Sequence, residues 1–364
     1  MHRAGGFLAG LPWRGLAGVA LIAILTWSAG LHLPPPLLEE KGVFDDIKLY
    51  TAITARVQAG ENYYTAAAAE QRAHGYPTRP AVTIREPTEA WILAALRTEA
   101  AGSAVVMALT LVMILTLFGA LEQQGAPLWM RAVAAALAVA GTIDGWRHPY
   151  SHEAWASLLL CIALSVWRPN RYGASVVLVV IACLFRELAA PVLLVMAVCA
   201  AADRRWREVV AWIVATLVFG VLALIHIRFA SHAALPNDPV SPGWTAVGGW
   251  RFILLTARRL VVFQHLPGPA LSIGVALALL GLLKADGPWG RRLAATTLTF
   301  VALFWFVGRP DNDYWGILYG TLLPLGLIYV PRLVRDSGFV EFFAGLGRRS
   351  AEKAANALAA PPVS

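Results

Sequence analysis

Charge is what this chain has least of. Only 14% of its 364 residues are Asp, Glu, Lys or Arg, 58% are hydrophobic, and the mean hydropathy is +0.61. Soluble domains carry about a quarter charged residues, so a deficit spread over the whole length excludes an ordinary soluble enzyme. Cysteine is nearly absent as well. Cys161, Cys183 and Cys199 all lie inside apolar runs, which excludes a disulfide framework and reads as small buried hydrophobes. No Walker loop, dinucleotide fingerprint or Cys/His zinc pattern occurs, so the energy for any reaction comes from a substrate or a gradient. The net charge of +8 does not call for nucleic acid, because the basic residues cluster at the ends of apolar runs, where they anchor a membrane protein.

What the chain has in abundance is apolar runs close to the roughly 20 residues that cross a bilayer. They predict an all-α polytopic membrane protein with about ten transmembrane helices, near residues 13–33, 98–121, 128–143, 156–166, 173–185, 188–202, 209–227, 268–283, 293–307 and 315–330. The first run follows a basic start, has no small-residue cleavage site behind it, and reads as a retained signal anchor. Residues 173–202 are too long for one upright span, so Arg186-Glu187 is read as the meeting point of two short ones; the alternative is one long tilted helix burying that pair. The expected organisation is a transmembrane domain over residues 1–332 and a tail over 333–364. Within the domain, a helical first extracytoplasmic loop covers 34–97 and a second loop covers 229–266. The second loop carries an interfacial helix from Trp250 to His265, with Phe252, Leu255, Leu260 and Phe263 beside Arg251, Arg258 and Arg259.

Orientation follows from the short loops. With both termini inside, the cytoplasmic loops hold Arg131, Arg168, Arg171, Arg204, Arg205, Arg207, Lys284, Arg291 and Arg292, against Arg147, Arg186 and Arg309 opposite. The richer side faces the cytoplasm. This places every unusual polar cluster on the outer side, the longest being Phe44 to Leu96.

Asp45 and Asp46 open that stretch at a helix start. Asp is favoured as a cap there, and a partly desolvated carboxylate is also a general base for a hydroxyl; Asp45 reads as the cap and Asp46 as the base, with Tyr50 on the same helical face. Arg85, Arg147, Arg186 and Arg309 stand singly in four outer loops. The planar guanidinium suits a phosphate oxygen pair, and the plainer reading is lipid contact or pairing with Glu86, Glu187 and Asp311. His148, His152 and Glu153 have a spacing that can ligate a metal, but Pro149 between the histidines breaks any shared face, and hydrogen bonding to a sugar or phosphate is the preferred reading; no metal site is assigned. Asp311, Asp313, Tyr314 and Trp315 form a polar and aromatic cluster suited to a sugar, or to an interfacial belt.

These residues carry a resemblance. Asp46-Ile47-Lys48-Leu49-Tyr50 in the first outer loop, followed by Gly60-Glu61-Asn62-Tyr63-Tyr64, resembles integral membrane glycosyltransferases of the GT-C class. The chain is similar to bacterial polyprenol-phosphate-mannose-type transferases and to proteobacterial cell-surface glycopolymer formation proteins. The Arg85-Glu86-Pro87 element departs from the more aromatic, proline-rich sequence of that class. The resemblance implies a multi-pass protein of the bacterial inner membrane, N-in and C-in, whose active site faces the periplasm. It implies a polyprenyl-phosphate sugar donor, a glycan or lipid acceptor, and no cofactor or nucleic acid. Asp46, with Asp45 beside it, is then the catalytic base, Arg85, Arg186, Arg147 and Arg309 the donor-phosphate ligands, and Tyr50, Glu86, His148, His152, Asp311, Asp313 and Tyr314 the substrate contacts. The rival expectation is a transporter or flippase for a lipid-linked glycan, which calls for ionisable residues in mid-span and broken helices in repeated halves. A non-catalytic assembly subunit is a third reading.

Overall fold

A computed structural model describes residues 45–336 together with Trp27, Gly30, Leu31 and Leu33. The expected first span over 13–33 and the tail over 333–364 fall largely outside the described residues.

Among those residues the chain is helical throughout, with two isolated β-bridges. The first loop folds as three helices, α1 (Asp46–Gln58), α2 (Tyr63–Ala73) and α3 (Thr88–Leu96). Side-chain caps fix where they begin. Asp45 Oδ1 accepts the Lys48 N–H at 2.9 Å, and Asn62 Oδ1 accepts the N–H groups of Tyr64 and Thr65, satisfying donors that the first turn leaves open. Leu49, Ile53, Tyr63, Ala67, Ala68, Ile84 and Ala90 give this loop its own small core.

Eleven further helices follow: α4 (Glu99–Gln123), α5 (Leu128–Ala140), α6 (Ile143–Arg147), α7 (His152–Val166), α8 (Gly173–Phe185), α9 (Pro191–Ala202), α10 (Trp206–Ala233), α11 (Gly249–Arg258), α12 (Gly268–Leu282), α13 (Gly287–Phe306) and α14 (Val330–Asp336). Among the described residues, α4 and α10 are the two helices long and apolar enough to cross a membrane alone. At 1.5 Å per residue, the 28 residues of α10 reach roughly 42 Å, beyond a hydrocarbon core of about 30 Å. The excess carries α10 six residues past the expected end at Ile227, where Ala230 is buried in the first-loop core.

The break expected at Arg186-Glu187 is present, whereas the span expected over 315–330 takes a different form. Over 173–202 the helix stops at Arg186, which is extended (φ −147, ψ 109), and a 3₁₀ turn, Glu187–Ala189, leads into α9. Pro191 has no N–H to donate and its ring clashes with the carbonyl four residues back, so one continuous helix is not available. Over 315–330 the chain forms two 3₁₀ segments, Pro310–Tyr319 and Leu323–Tyr329, with a 56° bend. Pro324 breaks the ladder there, and Gly316 lets the segment lie directly on α11, where a Cβ would collide with the Thr256 carbonyl oxygen.

The ends of α7, α9, α10 and α13 away from the first loop are joined by a buried ionic knot. Arg292, fully buried, reaches Asp203 at 2.8 Å and Glu208 at 3.4 Å and lies 3.8 Å from the Trp167 ring centre. Glu208 also accepts from the indoles of Trp167 (2.7 Å) and Trp212 (3.2 Å) and from Arg205 (2.5 Å). Removing one partner of such a group strands the other without water. Glu208→Ala is therefore expected to destabilise the protein by about 3 kcal/mol or more, read as a fall in unfolding midpoint in detergent; an unchanged midpoint would remove the knot from the list of stabilising contacts.

Candidate functional site

The site forms where the first loop, the start of α7, the α8–α9 break and the 310–319 segment meet. At its centre is Arg186, held at the break with none of its surface exposed. Burying a guanidinium costs several kcal/mol unless it is paired. Here Nε donates to Glu153 Oε1 at 2.5 Å, Nη1 donates to Glu187, and the guanidinium carbon lies 5.7 Å from the Trp315 ring centre. The first loop supplies the second cation. Arg85 reaches Glu187 Oε1 (3.1 Å), the Tyr50 hydroxyl (3.3 Å) and the Tyr314 hydroxyl (3.4 Å), while its own carbonyl accepts from Tyr63 at 2.7 Å. Glu187 thus bridges two arginines, one from each half of the site.

Two buried donors in this cluster have no acceptor: Arg186 Nη2 and Trp315 Nε1. An unsatisfied buried donor costs about 1–3 kcal/mol, so these two atoms are the part of the cluster that its own side chains leave unpaired. No protein-family model, curated protein or solved structure matches this chain. The chemistry of the site therefore rests on its own side chains. Among the described residues, no group of three or more His, Cys, Asp or Glu is arranged to hold a metal ion.

Asp46 sits half-buried in the first turn of α1, close enough for its charge to act on the Tyr50 and Tyr314 hydroxyls. It hydrogen-bonds Tyr76, whose hydroxyl is held well above the usual phenol range by burial and then by the Asp46 charge. Asp45 beside it is exposed and occupied as the α1 cap. Behind Tyr50 lies a second buried pair, with His152 Nδ1 3.3 Å from Glu89 Oε1 and the Tyr50 ring edge-on to the imidazole at 4.5 Å. Burial, with Glu153 nearby, pushes Glu89 well above the usual carboxylate range.

Of the residues singled out from sequence, the structure gathers Asp46, Tyr50, Arg85, His152, Arg186 and Tyr314. Glu86 lies at the edge, facing α10. Arg309 instead clasps Asp311 through two bonds of 3.0 and 2.7 Å and donates to the Gly243 carbonyl, and Asp313 pairs with Arg259 at 2.8 Å. Exposed Arg147 and half-buried His148, at the end of α6, make no hydrogen bond or ion pair with the cluster. Glu187 pairs with arginine, as the plainer reading of the sequence has it, while Glu89, Tyr76 and Glu153 as an arginine partner enter the site on structural grounds. Glu89 carries a signal in the sequence, being the one charge in the otherwise apolar helix TEAWILAAL. Tyr76 carries none.

Glu86 is an electrostatic hinge between this site and α10. His226 Nε2 lies 3.0 Å from the Ile84 carbonyl, which only accepts, so that nitrogen holds the proton. Nδ1 is then an acceptor, 3.3 Å from the Tyr64 hydroxyl and 3.6 Å from Glu86 Oε2. Burial, reinforced by the Glu187 charge, raises the Glu86 carboxyl from 4.5 to about 8. The folded chain thus holds a proton that the unfolded chain releases at lower pH, and stability falls as pH rises between those two values. The unfolding temperature of the wild type, measured against Glu86→Gln, is expected to drop as pH is raised from about 5 to about 8. A difference that stays flat across that range would show Glu86 to be ionised in the fold.

Proposed function

We propose that this chain is an inner-membrane glycosyltransferase of GT-C type, moving a sugar from a polyprenyl-phosphate donor to an envelope glycan or lipid acceptor on the periplasmic face, for cell-surface glycopolymer formation. The observation that carries the reading is the pair of buried, unpartnered donors, Arg186 Nη2 and Trp315 Nε1, in the cluster that also holds Arg85. In this reading a donor phosphate lies against Arg186, Trp315 and Arg85, with its lipid chain leaving along the apolar helices. Asp46 takes the proton of the acceptor hydroxyl as its oxygen attacks the anomeric carbon. The bond from that carbon to the phosphate oxygen breaks, and its electron pair leaves on the polyprenyl phosphate, steadied by the guanidiniums. A single displacement inverts the anomeric centre.

The topology proposed with it is ten spans, N-in and C-in, with the first loop and the α8–α9 break outside. α4 and α10, each long and apolar enough to cross alone, support two of these spans, and in this reading the shorter apolar helices complete the set by tilting or by locally thinning the bilayer. A flippase for a lipid-linked glycan is the second reading, favoured by the broken helix at Arg186 and the 56° bend after Tyr319, since transporters build midplane sites from interrupted helices.

Purified protein with a polyprenyl-phosphate sugar and an acceptor separates the two. Asp46→Asn is expected to lower the rate of sugar transfer by roughly 10²–10⁴-fold with little change in donor binding. Transfer that survives at the wild-type rate in both Asp46→Asn and Asp45→Asn would overturn the assigned base. Movement of intact donor across sealed vesicles, without transfer, would favour the flippase.

A further inference from the structure

The end of the molecule opposite the first loop carries a second concentration of chemistry, independent of the glycosyltransferase reading. Around Trp167 the α7–α8 and α9–α10 connections and the start of α13 bring seven arginines together with two carboxylates, Asp203 and Glu208. The carboxylates are fully used. Asp203 binds Arg291 and Arg292, and Glu208 binds Arg205 and Arg292. This leaves the exposed side chains of Arg171, Arg204 and Arg207 with no acidic partner.

The backbone at Arg204 makes the surplus more telling. The end of α9 closes with Arg205 N–H on the Ala200 carbonyl and Arg204 N–H on the Ala201 carbonyl, each at 2.9 Å, and Arg204 adopts the left-handed conformation (φ 57). Glycine usually takes that position because it pays no Cβ penalty. Here an exposed arginine occupies it.

An apolar ridge runs directly away from this patch. Trp206 is 65% exposed, followed on the same face of α10 by Val210, Val214, Leu217, Val221 and Leu224, all more than half exposed. Uncompensated guanidiniums at the head of an exposed apolar ridge match one kind of molecule: an acidic phosphate head joined to long hydrocarbon tails.

We propose that this corner is a binding site for an anionic phospholipid, whose headgroup sits among Arg171, Arg204 and Arg207 and whose acyl chains lie along the Trp206–Leu224 ridge. Preformed basic pockets at helix ends are suited to such headgroups, and each arginine near the membrane surface strengthens binding by about fivefold. The Asp203–Arg292–Glu208 knot fixes the three connections that present the arginines, so little order is lost on binding.

The test is native mass spectrometry of the full chain in detergent, titrated separately with phosphatidylglycerol, phosphatidylcholine and inorganic phosphate. The wild type is expected to retain phosphatidylglycerol at concentrations at least tenfold below those needed for phosphatidylcholine. Arg171→Ala, Arg204→Gly and Arg207→Ala combined should erase that preference, while the corresponding triple lysine variant keeps most of it and controls for folding. A double variant at the other end, Arg228→Ala with Arg251→Ala, should bind like the wild type. Equal retention of the two lipids by the wild type, a preference that survives the alanine and glycine variant, or competition by inorganic phosphate at equal concentration would overturn the proposal.

Discussion

A single buried arginine sets the terms for the half of this molecule that carries the first loop. Arg186 stands where α8 gives way to α9, with no exposed surface. Glu153 and Glu187 neutralise it from two different elements. Glu187 in turn recruits Arg85 from the first loop. The loop is therefore docked through charge onto a defect in the helical bundle. The remaining donors, Arg186 Nη2 and Trp315 Nε1, are the part of that arrangement that the protein's own groups do not satisfy.

The rest of that half holds this junction in place. Asp238, in the connection after α10, accepts two bonds from Arg72 (2.6 and 2.8 Å), one from Thr78 (2.7 Å) and one from the Leu235 N–H, strapping the first loop to the top of α10. On the opposite flank α11 carries the 310–319 segment, through Gly316 against Thr256, the Thr256–Tyr319 hydroxyl contact at 2.6 Å, and the Arg259–Asp313 pair. Tyr314 and Trp315 reach the site because that segment is pinned at both ends. The amphipathic α11 and the long α10 thus act as two brackets around one cluster.

Much of this frame was legible in the residues. The Asp45 cap, the start of α12 at Gly268, the end of α7 at Val166 and the interruption at Arg186 follow from local rules of capping, hydropathy and charge inside an apolar run. What local rules miss is set by tertiary contact. α10 continues past Ile227 because Ala230 finds a core in the first loop, and residues 315–330 bend because Pro324 and Gly316 face close neighbours. The site divides in the same way. Arg85 and Arg186 stand out as lone charges beside Pro or Glu, and the fold brings them together. Arg309 has the same local appearance, but Asp311 two residues on closes a bidentate pair with it. Glu89 shows itself as a lone charge in an apolar helix, whereas Tyr76 matters only through what packs against it, which no spacing along the chain reveals.

The proposed function requires the buried donors at Arg186 and Trp315 to take a lipid-linked phosphate. Equilibrium binding of a polyprenyl phosphate without sugar, to the wild type and to Arg186→Lys in parallel, tests it most directly. Lysine keeps the positive charge beside Glu153 and Glu187 but loses the planar fork. The account predicts saturable binding to the wild type, weakened at least tenfold in Arg186→Lys at an unfolding temperature close to wild type, with Trp315→Phe falling between them. Equal affinity in all three proteins would contradict it.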